Sequence, residues 1–151
     1  MPCPHPVVTT LTQETLYAII DTIRLQQSVY KQAGSVHGCA LFRGSELLMF
    51  VEDVGRHNAV DAIAGRMWLE GMTGEDKVFY TTGRLTSEMV IKGAQMGIPF
   101  LLSRSGVTQM GYQMAQRVNL SLFARCTGKH FLLYTGRERF RHSQPEAAAP
   151  A

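Results

Sequence analysis

The chain has 151 residues, of which 45% are hydrophobic and 18% charged, and its formal net charge is +3. That is enough chain for one domain with a substantial core, and too mild a basic balance for a nucleic-acid polymer, which needs denser clustering of Lys and Arg. No apolar run approaches the roughly 18 residues of a membrane helix and MPCPHPVV is no signal peptide, so a cytoplasmic protein away from membranes is the expectation.

In chain order, residues 1–11 read as an extended lead-in, because PCPHP cannot sustain a helix. Thr10-x-x-Gln13 resembles a capping box, and Leu16, Ile19, Ile20, Ile23 and Tyr30 then share a helical face, which predicts a helix to about Ala33 stopped by Gly34. The apolar runs GCALF and ELLMFV, separated by RGS, predict a hairpin. Asn58 is placed to cap a helix carrying Val60, Ile63, Met67 and Trp68 inward. KVFYTT predicts a strand, SEMVIKGAQMG a helix closed by Gly97, IPFLLSRS a strand and VTQMGYQMAQRV a helix. SLFARC and HFLLYT are two last strands joined by the turn TGK, and residues 141–151 read as a disordered tail. No internal repeat is legible.

The resulting order, α-β-β-α-β-α-β-α-β-β, predicts one α/β domain over residues 12–140. Its form is three-layered: a mixed, mostly parallel sheet with helices on both faces, to which the hairpin and the last strand add antiparallel edges. In such sheets ligands bind beyond the carboxyl ends of the strands.

Four polar segments follow strands: EDVGRHN (52–58), TGRLTSE (82–88), SRSGVTQ (103–109) and ARCTGKH (124–130). Each holds glycine and at least one cation, and the first three lead into helices, whose free N–H groups favour an anion. Brought together, they would form an electropositive, glycine-lined crevice suited to phosphate, with Arg giving bidentate contacts. Taken singly, each segment is also an ordinary turn and cap. Neither GxxxxGK[ST] nor GxGxxG is present.

VEDVGRHNAVD (51–61) is the densest of these stretches. A metal site could draw on Glu52, Asp53, His57 and Asp61, although Arg56 would repel the cation and no HExxH or HxH supports zinc. The same residues read equally as a structural network or as one wall of an anion pocket. The three cysteines, Cys3, Cys39 and Cys126, lack CxxC spacing, which argues against a disulfide framework or a four-cysteine zinc site. Cys39 alternates with apolar residues and reads as a buried thiol, whereas Cys126, between Arg125 and Lys129, has the setting for a lowered pKa.

EDVGRHNAVD, GRLTSEMVIKGAQMGIPFLLSRSG and NLSLFARCTGKHFLLYTG, colinear from about Val36 to Tyr134, resemble the formate dehydrogenase accessory sulfurtransferase family, FdhD/NarQ. The resemblance implies a cytidine-deaminase-like three-layer fold and a cytoplasmic homodimer. It also implies a role in formate dehydrogenase maturation, with sulfur received from a cysteine desulfurase and passed to the molybdenum bis(molybdopterin guanine dinucleotide) cofactor. The implied ligand is that cofactor or a GDP-like nucleotide. His37-Gly38-Cys39 stands where a deaminase would show His-x-Glu, so no zinc is expected. The family's sulfur-carrying CxxC loop has no counterpart: the match is to the C-terminal portion, and Cys3, alone among prolines, does not fit the motif. In the segment before the final strand, glycine and basic character are kept while the family's aromatic and terminal Arg are not.

The implied binding residues are Arg125, Cys126, Thr127, Gly128, Lys129 and His130 lining the ligand. Ser103, Arg104, Ser105 and Thr108 would offer phosphate contacts at a helix N-terminus, with Arg84 and His57 completing the wall. A binding module without the carrier cysteine leads. Beside it stand an active sulfurtransferase completed by another chain or by Cys126, a non-enzymatic partner subunit, and a zinc deaminase-like hydrolase.

Overall fold

Strands form where short β-branched and aromatic runs are bounded by turn residues, and helices where longer stretches repeat near 3.6 residues. The computed structural model describes residues 10–30, 37–53 and 56–141, with backbone alone at 26–30, 37, 53, 56 and 57. The elements are β1 (Leu11–Thr12), α1 (Gln13–Tyr30), β2 (His37–Arg43), β3 (Glu46–Asp53), α2 (Arg56–Leu69), β4 (Lys77–Thr81), α3 (Ser87–Gln95), β5 (Phe100–Ser103), α4 (Gln109–Val118), β6 (Ser121–Thr127), β7 (His130–Thr135) and β8 (Phe140–Arg141).

The six-stranded sheet runs β3-β2-β4-β5-β6-β7, and β1 pairs with β8 separately. Its centre, β4-β5-β6, is parallel, while β2–β3, β2–β4 and β6–β7 are antiparallel. The sheet is therefore mixed, as expected, but less parallel than "mostly parallel" implied. The reason is that β2 turns back from its hairpin and lies between β3 and β4, so two pairings become antiparallel at once.

Alternation along each strand sorts side chains to two faces. Val78 and Tyr80 of β4 join Leu16, Ile19, Ile20 and Ile23 of α1 together with Phe42, Phe100, Leu102 and Phe123. Phe79, Leu41, Leu101 and Leu122 meet Val60, Ile63 and Met67 of α2, Met89 and Val90 of α3 and Ala115 of α4. Helices thus cover both faces, giving three layers. Each fully buried aliphatic or aromatic side chain contributes about 1.5–3 kcal/mol, as an upper bound.

Some local details differ from the sequence reading. Thr12, not Thr10, caps α1, accepting from the Thr15 N–H at 3.2 Å. Helix α2 begins at Arg56, so Asn58 lies inside its first turn instead of capping it. Trp68 is 82% exposed, because one residue beyond Met67 turns a helix about 100° away from its inward stripe. The lead-in before Thr10 and the tail from residue 142 lie outside the described residues, as do Ala33 and Gly34. No helix among the described residues is long and apolar enough to cross a membrane.

A repeat illegible in the sequence emerges from the fold. Val78 pairs with Phe100 and Thr81 with Ser103, Leu85 bridges to Val107, and Thr86 and Thr108 cap α3 and α4 alike. Gly97 (φ 76°) and Asn119 (φ 61°) complete the match after the two helices. Two consecutive β-α units thus share one geometry, though apart from Thr86 and Thr108 their side chains differ.

Gly111, in the first turn of α4, lets that helix approach the β4–α3 loop: a Cβ there would stand 2.3 Å from the Leu85 carbonyl oxygen. Alanine would gain about 1 kcal/mol in helix propensity. The obstacle, however, is a backbone oxygen that cannot rotate away, and overpacking costs typically about 1–3 kcal/mol. Gly111→Ala is therefore expected to destabilise the fold by up to about 2 kcal/mol, seen as a lower urea midpoint with an unchanged slope.

Candidate ligand site at the carboxyl ends of the strands

Because β2 opposes both β3 and β4, the strands β3, β4, β5 and β6 all run the same way and end at one edge of the sheet. All four polar segments follow those ends, so their predicted convergence holds for the backbone. Strands β2 and β7 begin at the same edge, which brings in Gly38, Lys129 and His130. At about 4.8 Å per strand, the edge from β3 to β6 spans on the order of 19 Å.

Hydroxyl groups stitch the strand ends together. Ser103 is fully buried; its Oγ donates to the Gly83 carbonyl at 2.6 Å and accepts from the Ser105 N–H at 2.8 Å. Ser105 Oγ donates to the Thr82 carbonyl at 2.7 Å, and the Ser105 carbonyl accepts from the Arg125 N–H at 2.9 Å. Thr82 continues the chain of bonds to β2: its Oγ1 accepts from the Gly38 N–H at 3.1 Å, and its own N–H donates to the Gly38 carbonyl at 3.0 Å. Thr108 caps α4, accepting from the Gly111 N–H at 3.0 Å.

The expectation that Ser103, Ser105 and Thr108 reach phosphate directly is thereby corrected. The hydroxyl hydrogens of Ser103 and Ser105 are held by loop carbonyls, and Thr108 is committed to its cap. Their role at this edge is to shape the loops. Sequence reading missed Thr82 and Gly38. The only signal was the doubled Thr81-Thr82 before Gly83, a common enough pattern to pass as an ordinary turn.

What the loops present outward is positive. Arg84 follows β4, Arg104 follows β5, and Arg125, Lys129 and His130 lie at the β6–β7 turn, all exposed beside Thr127 and Gly128. Arg125 has φ 54°, in the left-handed region, at a register irregularity between Ala124 and Thr127. A methyl group on Gly106 would stand 3.5 Å from Arg125 Nη2, so the guanidinium rests against the β5–α4 loop. The side chains of Asp53, Arg56 and His57 lie outside the described residues, which leaves the His57 assignment and the metal reading of that cluster without a geometric test.

The thiols correct another expectation. Cys126 is 1% exposed, between the sheet and α1 among Tyr80, Leu102 and Phe123. Burial pushes its pKa from the ordinary 9.0 up to about 12, only partly opposed by a hydrogen bond from the Ser103 backbone. The flanking cations do not lower it, because the irregularity between Ala124 and Thr127, where Arg125 has φ 54°, turns the thiol onto the same face as Phe123 while Arg125 and Thr127 stay exposed. Cys126 is thus poorly suited both to ligand contact and to sulfur transfer. Cys39 is fully buried, as expected, and burial raises its pKa to about 11 against a bond to Thr81 Oγ1. The buried phenol of Tyr80 is raised as well, with Arg104 partly offsetting the cost.

Two clefts lie away from this edge. One, of about 340 Å³, lies between the end of α4 and the end of β7, near Asn119, Tyr134 and Glu138. The other, of about 330 Å³, lies between α2 and α3 beside Trp68, Met72 and Lys92.

Fold and site together define a three-layer α/β protein with a cationic, hydroxyl-stitched rim at the carboxyl ends of its strands. The FdhD/NarQ family pattern matches residues 2–141, and the chain belongs to that family. It is 33% identical to the sulfur carrier protein FdhD of Listeria monocytogenes over 129 residues, covering 85% of this chain and 49% of that protein. Against the sulfur carrier protein FdhD of Saccharolobus solfataricus it is 37% identical over 129 residues, 84% of this chain and 50% of the relative. A crystal structure described as a formate dehydrogenase accessory protein from Desulfotalea psychrophila superposes with a TM-score of 0.80 at 34% identity, over 90% of this chain and 59% of that one. The chain spans about half the length of the curated relatives it matches.

The thiol burial has a pH signature. Between pH 9.0 and about 12 the unfolded chain releases the Cys126 proton while the folded chain retains it, so stability must fall as pH rises through that window. The urea midpoint is expected to decline from about pH 8 to about pH 10, and less steeply in Cys126→Ala. In the native protein at neutral pH, alkylation of Cys39 and Cys126, read peptide by peptide, should be slow and should become fast on unfolding.

Proposed function

We propose that this chain is an FdhD-type accessory module in formate dehydrogenase maturation. In this reading it binds a guanine-dinucleotide-type ligand, the molybdenum bis(molybdopterin guanine dinucleotide) cofactor or a GDP-like portion of it, at the carboxyl ends of its strands. The observation that carries this reading is the convergence of Arg84, Arg104, Arg125 and Lys129, all exposed, on one glycine-containing sheet edge in a member of this family. Guanidinium groups suit phosphate oxygens bidentately. The edge also fits by length. From β4 to β6 the arginines are spread over two strand spacings, on the order of 10 Å, which is more than one phosphate occupies and suits linked phosphates.

The cofactor here is cargo. Gly106 and Gly128 would admit its phosphates close to the backbone, and the arginines would orient them. The carrier thiol for any sulfur transfer is then neither Cys39 nor Cys126, because both are enclosed by apolar side chains and hold their protons at neutral pH. The relatives are named sulfur carrier proteins, and in this reading the present chain supplies the surface that receives the substrate. Exchange with a cysteine desulfurase and with formate dehydrogenase, and pairing into a homodimer, belong to the same proposal.

Isothermal titration with GDP, with GMP and ADP as controls, tests it. Micromolar affinity for GDP, about −8 kcal/mol at 1 μM, is expected, with weaker binding of ADP and loss of binding in Arg104→Ala. Absence of heat at millimolar GDP would remove the reading and favour a partner-subunit role.

A further inference from the structure

Resting on that anion-binding reading, we infer that Arg125 is the residue that selects a diphosphate over a monophosphate. We further assign Ser103 as a positioning residue that holds Arg125 in place through Ser105. Neither role follows from the family pattern. Both follow from how the end of β6 is built.

Arg125 occupies a conformation that L side chains rarely adopt, with φ 54°. Elsewhere in the same hairpin region the positive-φ positions are glycines, Gly128 and Gly136. An arginine where glycine would be easier points to a use for the side chain, since strained backbone persists where surroundings enforce it and gathers at functional sites. The enforcing contact is visible: the Arg125 N–H donates to the Ser105 carbonyl at 2.9 Å, while the ladder between β6 and β7 is irregular across it, between Ala124 and Thr127. The irregularity re-aims the residue, a known use of bulges. Its guanidinium then lies against Gly106, where a methyl group would be only 3.5 Å from Nη2.

The anchor is itself anchored. Ser105 offers its carbonyl to Arg125 while its N–H is held by Ser103 Oγ at 2.8 Å and its hydroxyl by the Thr82 carbonyl at 2.7 Å. Ser103 is fully buried and binds Gly83 as well, so it cannot touch a ligand from solvent. Its influence on binding must pass through the loops it ties.

Selectivity follows from spacing. Arg104 and Arg125 leave adjacent strands, about 4.8 Å apart. One guanidinium suffices for a lone phosphate; a second phosphate joined to the first gives the neighbouring guanidinium its own partner. Removing Arg125 should therefore weaken diphosphate ligands and leave monophosphate binding nearly unchanged.

The test is titration of the full chain with GDP, GMP and inorganic pyrophosphate, alongside thermal unfolding. The variants are Arg125→Gly, Ser103→Ala, Ser103→Thr and the double variant Ser103→Ala/Arg125→Gly. Arg125→Gly is expected to raise the unfolding midpoint by relieving the left-handed backbone, while weakening GDP and pyrophosphate about tenfold or more and GMP less than about twofold. Ser103→Ala should weaken GDP comparably, the double variant should lose little more than Arg125→Gly alone, and Ser103→Thr, which keeps the hydroxyl, should recover most of the affinity. Wild-type GDP affinity in Arg125→Gly, or equal loss of GMP, overturns the role of Arg125. A Ser103→Ala loss that adds fully to that of Arg125→Gly, or a Ser103→Thr variant no better than Ser103→Ala, overturns positioning. If the unaltered chain binds neither GDP nor pyrophosphate, the anion-site reading itself fails and this inference with it. That outcome is distinct from both of the others.

Discussion

One buried hydroxyl, that of Ser103, governs the geometry of the candidate site. Its two hydrogen bonds, to the Gly83 carbonyl and from the Ser105 N–H, join the loop after β4 to the loop after β5, the first of them fully buried. A neutral hydrogen bond contributes only about 1 kcal/mol net, but a buried carbonyl or N–H left unpaired costs about 1–3 kcal/mol. The asymmetry makes the arrangement close to all-or-none: either both loops are seated or two buried polar groups are stranded. From Ser105 the connections run on to Arg125, and from Thr82 to Gly38, so four strand ends are tied side by side.

That arrangement answers an electrostatic difficulty. Cations gathered along one rim repel each other, and exposed flexible arginines would ordinarily disperse. The rim resists this from the backbone outward, because Arg84, Arg104 and Arg125 each depart from a loop whose main chain is pinned. The repeated β-α geometry serves the same end: Thr86 and Thr108 start α3 and α4 in equivalent places, and Gly111 lets the second unit close on the first. The candidate site and the stability of the loops are therefore built from the same bonds, with hydroxyls inside and guanidinium groups outside.

Membership of the FdhD/NarQ family sharpens a contrast. The curated relatives are named sulfur carrier proteins, the chain spans about half of their length, and the two described thiols here lie in opposite layers of the core. Thiolate chemistry needs exposure and a stabilised anion; Cys39 and Cys126 have neither. Within the described residues, neither thiol is placed to form a thiolate.

Much of this was legible in the residues. The element order, the hairpin, the three layers and the placing of Arg84, Arg104, Arg125 and Lys129 after strands follow from periodicity, turn residues and the rule that parallel strands share an end, while the colinear motifs pointed to the family. Side-chain direction at single residues was less legible. Trp68 was assigned inward and faces solvent, and Cys126 was assigned a cationic setting and lies in the core, because one residue of phase decides both. Ser103 and Ser105 looked like ligand groups, since a hydroxyl beside an arginine carries no mark of which partner it will find. By itself the sequence determined which local structures form and which charges end near strand termini, since propensity and alternation act between near neighbours. Only the tertiary structure decided that β2 would lie between β3 and β4, that Ser103 would bond Gly83, and that Arg125 would take a left-handed turn. Those outcomes depend on contacts between residues far apart in the chain, whose partners are chosen when the strands assemble.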